Sequence, residues 1–374
     1  MTPLVPERME TMSDPRLLRT LDRLEADGLI SADPGVVRML TGHHADIETG
    51  PSVFALPALV VATRDADPVL VACADDAEPT ETCITYAGFT VTPITRVANA
   101  RRALREGVAR TAGHRAAWAI DGATVPAGVL GDLPGSRTAD DALGALTAIK
   151  TADDLAAVAA AVAVCDAGQA AAREAALGGA DELDLWEHIR HAMERRAGGR
   201  IPILADCVAG PRAAQVGGPP SPVTIGEGEA LLIDLVPRVA GIWADSCATF
   251  VDGEPPDTLR RVHAAARSAL DAGLALLRPG TLSGDVDATV RAVMADDGWE
   301  YPHHTGHGVG FAWHEEPRII PGGATVLQEG MVVALEPGAY SPDWGLRVEQ
   351  VAVVTAGGPR VLSGHALSLQ RAPG

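Results

Sequence analysis

The chain has 374 residues, 47% of them hydrophobic, and a formal net charge of −19. Its length exceeds that of one usual domain, so two domains, each able to bury a core, are expected. The acidity argues against nucleic acid and anionic membrane surfaces as partners, because both repel such a chain.

The N-terminal stretch MTPLVPERMETMSDP has Pro3, Pro6 and interspersed charges, with no basic start before an apolar stretch. No secretory signal is expected, and the location read from it is cytoplasmic. No apolar run approaches the length of a membrane span. Five cysteines (Cys73, Cys83, Cys165, Cys207 and Cys247) form no CxxC pair. Their odd number suits a reduced compartment and small buried side chains rather than a disulfide framework. Lys150 is the only lysine.

Ser13-Asp14-Pro15 opens a helical pattern through Leu17, Leu18, Leu21 and Leu24 that Gly28 stops. Strand-like runs follow at Ala58–Thr63, Val69–Ala74, Thr82–Tyr86 and Ala116–Ile120, with a helical stretch near Ala98–Ala112. That order predicts a small α/β domain. The turn-rich Gly131–Ser136 lies near its end. From Thr151 the character changes. Thr151 and Asp154 have capping-box spacing before an Ala-rich helix that runs to Gly178-Gly179. A second helix, Glu182–Arg196, is followed by hairpins, two helices (Asp257–Leu277 and Gly284–Asp297) and further hairpins. The order hints at pseudo-symmetry, although no repeat is visible in the residues themselves. The expected division is a domain over residues 1–148 and another over 149–374.

Chemistry concentrates in that second half. In ALLIDLVPRVAGIWADSCATF (230–250), folding about Val239/Ala240 sets Asp234 directly opposite Asp245 on one face. Like charges across a strand pair repel, by about 1 kcal/mol in water and about 4 kcal/mol near a protein surface. Leu232, Ile233, Ile242 and Trp243 suggest burial, so the pair needs a compensating cation. A second hairpin, folding near Pro342/Asp343, sets Glu336 opposite Glu349. A solvated acidic turn is the plain alternative for either hairpin, but two in one chain make coincidence much weaker.

Between them lies YPHHTGHGVGFAWHEEP (301–317), with His303, His304, His307 and His314 within a dozen positions. Gly306 and Gly308 would let the backbone beside His307 approach a ligand closely. His307 supplies the nitrogen that an all-oxygen site would lack. Carboxylates with one imidazole suit Mn, Fe(II), Co or Zn better than Ca or Mg.

With these residues in place, the chain resembles the metallopeptidases that include methionine aminopeptidases, aminopeptidase P and prolidases. LLIDLVPRVAGIWADS, HHTGHGVGFAWHEEP, ALEPGAY and GLRVEQ carry the resemblance, in the family's order. The first half, with RLLRTLDRLEADGLI and VVRMLTG, resembles the creatinase-like N-terminal domain of the Xaa-Pro branch. The resemblance implies an α/β N-terminal domain, an α+β pita-bread catalytic domain, two divalent metal ions and a homodimer. Manganese is the first choice of ion, with Co²⁺, Zn²⁺ and Fe²⁺ as alternatives. Position by position, Asp234 would chelate one ion, Asp245 and Glu349 would bridge both, and His307 and Glu336 would complete the second. His314 and His303 match substrate-facing histidines, and Arg347 an arginine that supports the site or merely steadies its strand. His304 is left supporting or structural.

One departure stands out. Xaa-Pro peptidases usually carry a histidine in the loop before the first metal Asp, where GPRAAQVGGPPSP has Gly217. The expected activity is an Xaa-Pro amino- or dipeptidase acting on small peptides, with Glu336 as proton shuttle. The alternative is a hydrolase or lyase of a non-peptide small molecule, like creatinase or ectoine hydrolase. A binding module that lost catalysis is the third reading; it is disfavoured because all five ligand residues are present.

Overall fold

The computed structural model describes residues 14–45, 55–88, 95–111, 117–131, 133, 137–175 and 177–371. Residues 1–13, Ala112, Ala116 and four of the turn-rich residues 131–136 lie outside these, so the readings made there have no structural counterpart. The chain divides into two compact units, Met1–Thr147 and Ala148–Gly374.

In the first unit, Asp14 caps α1 (Pro15–Leu24) by accepting from the Arg16 N–H. The helix ends at left-handed Glu25 rather than at Gly28. Gly28 instead opens β1 (Gly28–Ser31), where a Cβ would meet the Trp118 ring at 2.4 Å. Then follow α2 (Pro34–Thr41), β2 (Leu59–Thr63), β3 (Val69–Cys73), β4 (Cys83–Tyr86), α3 (Arg96–Thr111), β5 (Trp118–Ile120), α4 (Ala127–Leu130), β6 (Arg137–Thr138) and α5 (Asp140–Ala148). Among the described residues the strands form one mixed sheet, in the order β4-β3-β2-β1-β5-β6. Strand alternation divides its core. Leu59 and Val61 pack with Leu104 and Val108 of α3, while Val60 and Ala62 pack with Leu17 and Val36 of α1 and α2.

The second unit begins with α6 (Ala152–Glu174) and α7 (Glu182–Ala197), each opened by a reciprocal capping box: Thr151 with Asp154, and Asp181 with Asp184. At 23 residues α6 is long and apolar enough to cross a membrane, which the sequence reading did not anticipate. Its Val158, Ala161, Val162 and Cys165 are buried inside the unit, as in a core helix. Next come β7 (Ile203–Ala209), a 3₁₀ turn (Gly210–Gln215), β8 (Ala230–Val239), β9 (Ile242–Trp243) and β10 (Cys247–Val251). A second helix pair, α8 (Asp257–Ala275) and α9 (Ser283–Asp296), precedes β11 (Gly306–Gly308), β12 (Glu315–Ile319), β13 (Val332–Leu335), β14 (Gly338–Ser341), β15 (Trp344–Arg347), β16 (Gln350–Val353) and β17 (Arg360–Val361). The order of two helices followed by hairpins thus occurs twice. One sheet runs β10-β8-β7 with β9 on β8, another β12-β11-β13-β16-β17, and β14 pairs with β15. Apolar faces of α8 (Leu259, Val262, Leu270) and α9 (Val286, Val290) join Val333, Leu335 and Leu346 in one core. All five cysteines are free and buried.

Candidate metal centre

The first hairpin turns one residue later than its sequence suggested. Val239 pairs with Ile242 across Ala240-Gly241, and both turn residues have positive φ, 47° and 80°. Two-residue hairpin loops favour that conformation because it matches the strand twist. Asp234 therefore faces Cys247, and Asp245 lies two positions away in the gap between β9 and β10. The expectation of directly opposed aspartates fails. Both acids still point to the same face, because moving the turn by one residue shifts the pairing by two. The second hairpin has the register read from its turn: Ser341 pairs with Trp344 and Leu335 with Gln350. Glu336 and Glu349 follow in the breaks that separate β13 from β14 and β15 from β16.

His307 sits in β11, between β12 and β13. Its flanking glycines serve the sheet rather than a ligand. A Cβ on Gly306 would lie 2.1 Å from the Ala334 carbonyl oxygen, and one on Gly308 2.2 Å from that of Glu316. His307 Nδ1 bonds to the Gly308 carbonyl at 2.9 Å. As the donor there, it leaves Nε2 to face the carboxylates, the orientation a metal-binding imidazole needs.

These elements bring five side chains together. Ligand atoms of Asp234, Asp245 and Glu349 lie within 4.8 Å of one another. His307 Nε2 is 3.5 Å from Asp245 Oδ2 and 3.5 Å from Glu336 Oε1. Asp245, His307, Glu336 and Glu349 are all buried, Glu349 to 1% exposure. Asp234 Oδ1, Asp245 Oδ1 and Glu349 Oε1 are each buried without a hydrogen-bond partner. Three orphaned acid oxygens in one place cost several kcal/mol unless a cation or protons compensate. Burial, then the Asp245 charge, raises Asp234 well above the usual carboxylate range. Burial and Glu336 push Asp245 up to about 8, and burial with Asp245 and Asp234 raises Glu349. Burial acts on Glu336 too, but His304, His307 and Arg347 outweigh it and hold its carboxyl low. Oxygen-rich donors with one imidazole fit divalent cations of the Mn, Fe, Co and Zn type.

Arg347 donates to Asp234 Oδ2, and its Nε lies 3.5 Å from Glu336 Oε2. It also donates to Tyr340 Oη at 3.1 Å and to the Val216 carbonyl at 2.8 Å. Support of the cluster and an ion pair that steadies the strand are one arrangement here. The His314 ring lies against that of His307, tilted by 33° with centroids 3.8 Å apart, and burial plus the neighbouring imidazoles lower it to about 3. His303 Nδ1 bonds to the His304 carbonyl and its Nε2 to Tyr340 Oη. Burial lowers His303 to about 4, so both histidines are neutral at pH 7.

Two neighbours, Gln169 and Asp287, escaped the sequence reading, and a third, His304, was left there as supporting or structural. His304 Nε2 comes within 2.8 Å of Glu336 Oε1, closer than any other histidine in the motif. Gln169 of α6 donates through Nε2 to the Ile233 carbonyl at 3.0 Å and the Ser246 carbonyl at 3.2 Å, fixing both strands of the aspartate hairpin. A glutamine inside an Ala-rich run was the available signal. Asp287 accepts from Thr305 Oγ1 at 2.5 Å and Arg291 Nε at 2.9 Å, and Arg291 reaches the His303 carbonyl at 2.6 Å. This i, i+4 pair on α9 thereby ties the histidine loop to its helix.

Comparisons with known proteins agree with this geometry. Residues 156–356 match the model of metallopeptidase family M24. The Xaa-Pro dipeptidase of Lactobacillus delbrueckii subsp. lactis is 37% identical over 153 residues, 40% of this chain and 42% of that protein. The putative dipeptidase YkvY of Bacillus subtilis is 30% identical over 199 residues, 52% of this chain and 54% of its own length. The matches thus span about half or less of these curated relatives. Among solved structures, a prolidase from Pyrococcus horikoshii OT3 superposes with a TM-score of 0.78 at 22% identity, covering 95% of this chain and 98% of the other. Dipeptidase PepE from Mycobacterium ulcerans gives 0.74 at 25% identity, covering 95% of each chain. The expected architecture, an α/β unit followed by a pita-bread unit, is the one these structures share.

Proposed function

This chain belongs to metallopeptidase family M24, and on that premise we propose that it is a dinuclear-metal hydrolase cleaving the C–N bond of Xaa-Pro dipeptides or short peptides. The observation that carries the reading is the set of three orphaned carboxylate oxygens, of Asp234, Asp245 and Glu349, gathered with Glu336 beside His307 Nε2. Asp234, Asp245, His307, Glu336 and Glu349 would hold two divalent cations, with manganese the preferred ion. Bound there, the cations supply Lewis acidity and hydroxide at neutral pH.

The remaining steps belong to the side chains. Glu336, held ionised, accepts a proton from the attacking water and returns it to the leaving nitrogen. Neutral His314, whose Nδ1 faces Arg318 Nη1, can donate one hydrogen bond from Nε2 to substrate oxygen without adding charge. The one proton of neutral His303 is instead held on Nδ1 by the His304 carbonyl, so that His303 positions Tyr340. Arg347 keeps Asp234 and Glu336 in place. A homodimer and a cytoplasmic location accompany this reading.

Turnover of a panel of Xaa-Pro dipeptides and tripeptides by manganese-loaded protein tests it. Cleavage of at least one, lost on chelation and restored by Mn²⁺, is the expected result. No turnover of any peptide would favour the second reading, a hydrolase of a cyclic amidine or guanidino compound. That reading draws on Gly217, beside which Asp206 brings a further carboxylate.

A further inference from the structure

Asp206 lies in β7 directly opposite Asp234, so the two carboxylates leave the same face of the sheet. Like charges so placed cost stability, and Asp206 takes no part in the buried cluster. Its side chain is 33% exposed against 12% for Asp234. Its hydrogen-bond partner is Arg347 Nη2, at a long 3.5 Å, and that nitrogen already serves Asp234. Two dications with a hydroxide, together with Arg347, would neutralise the four cluster carboxylates and leave Asp206 as a surplus negative charge at the site's edge.

Resting on the function proposed above, we infer that Asp206 is a specificity residue that receives a substrate cation, guanidinium or ammonium, borne on an aliphatic stem. The loop before β8 makes room for it. A Cβ on Gly217 would fall 1.8 Å from Asp206 Oδ2, so the carboxylate occupies the space a side chain at 217 would fill. That loop is held in place. Fully buried Glu182 accepts from the Ala209 N–H, Arg212 Nη1 and both the N–H and hydroxyl of Ser221. The Cys207 N–H donates to the Gly218 carbonyl at 3.1 Å, and Arg347 holds left-handed Val216 by its carbonyl. Leu204, two residues before Asp206 on the same face, is 41% exposed. An aliphatic stem can lie on it while the charged tip reaches the carboxylate.

The test uses the full metal-loaded chain with Arg-Pro and Lys-Pro against Leu-Pro and Met-Pro. The wild type is expected to favour the cationic pair. Asp206→Asn should lower the ratio of kcat/KM for Arg-Pro over Leu-Pro by about tenfold. Gly217→Ala, which puts a methyl where the carboxylate sits, should lower the same ratio by another route. Calorimetric titration with agmatine supplies a readout apart from turnover, and Asp206→Asn should bind it about tenfold more weakly. Metal content should be equal in the wild type and Asp206→Asn. An unmoved ratio with unchanged agmatine affinity would overturn the assignment. So would metal lost from Asp206→Asn, which would make Asp206 a ligand. If no Xaa-Pro peptide is cleaved while agmatine binding still depends on Asp206, the peptidase reading falls and this one stands.

Discussion

Glu336 differs from the other acids of its cluster in having cationic or imidazole neighbours on both oxygens: His304 and His307 beside Oε1, Arg347 beside Oε2. Asp234, Asp245 and Glu349 instead face one another and are pushed toward protonation. Environment therefore separates one ionised base from three acids that need a cation. Replacing Glu336 with Gln is expected to lower kcat by about 10²–10⁴-fold, the usual worth of a positioned proton carrier. Steady-state kinetics on manganese-loaded protein measures it, and a fall below tenfold would move the proton transfer elsewhere. At this scale the residue types were readable, because acids on apolar hairpins and clustered histidines are improbable without chemistry. Which histidine approaches Glu336 was not, since His303 and His304 are sequence neighbours and only packing against Tyr340 and Arg318 sorts them.

Among the elements, the β12 end that follows His314 is tied to the start of α6 by one buried pair. Lys150 Nζ meets Glu315 Oε1 at 2.5 Å with side-chain exposures of 0% and 4%, and donates also to the Ala148 carbonyl. Removing one partner leaves the other charge buried, so Lys150→Met should cost about 3–5 kcal/mol. The double variant Lys150→Met/Glu315→Leu should recover most of that loss in urea unfolding; equal losses in single and double variants would deny the coupling. The sequence held no sign of this pair, whose members lie 165 residues apart. The hairpins show the opposite case. Asp234 and Asp245 share a face wherever the turn centres by whole residues, so the face was legible although the register was not. The Asn-Gly or Asp-Gly signal that would have marked the turn is replaced by Ala240-Gly241.

For the whole molecule, the cluster couples folding to protons and metal. In metal-free protein Asp245 keeps its proton to about 8, whereas the unfolded carboxyl loses it near 3.8. Folding then takes up a proton, so stability falls as pH rises between those values. His303 and His314, charged in the unfolded chain up to about 6.5 but neutral when folded, act oppositely below that pH. From about 6.5 to 8 the acids dominate. Chelated protein should melt lower at pH 8 than at pH 6.5 by scanning calorimetry, and metal should remove the difference by taking the protons' place. A metal-free melting point that rises over that span would contradict the sign. The two helix-then-hairpin halves of the second unit were visible as an order of elements. The sheets that assemble them depend on pairings such as β11 with β13, which no single turn joins and no local pattern reports.

Anomalous diffraction from crystals grown with manganese tests the central claim most directly. Two peaks about 3.5–4 Å apart, bounded by Asp234, Asp245, His307, Glu336 and Glu349, are predicted. Density at saturating manganese with no peak among those five side chains would contradict it.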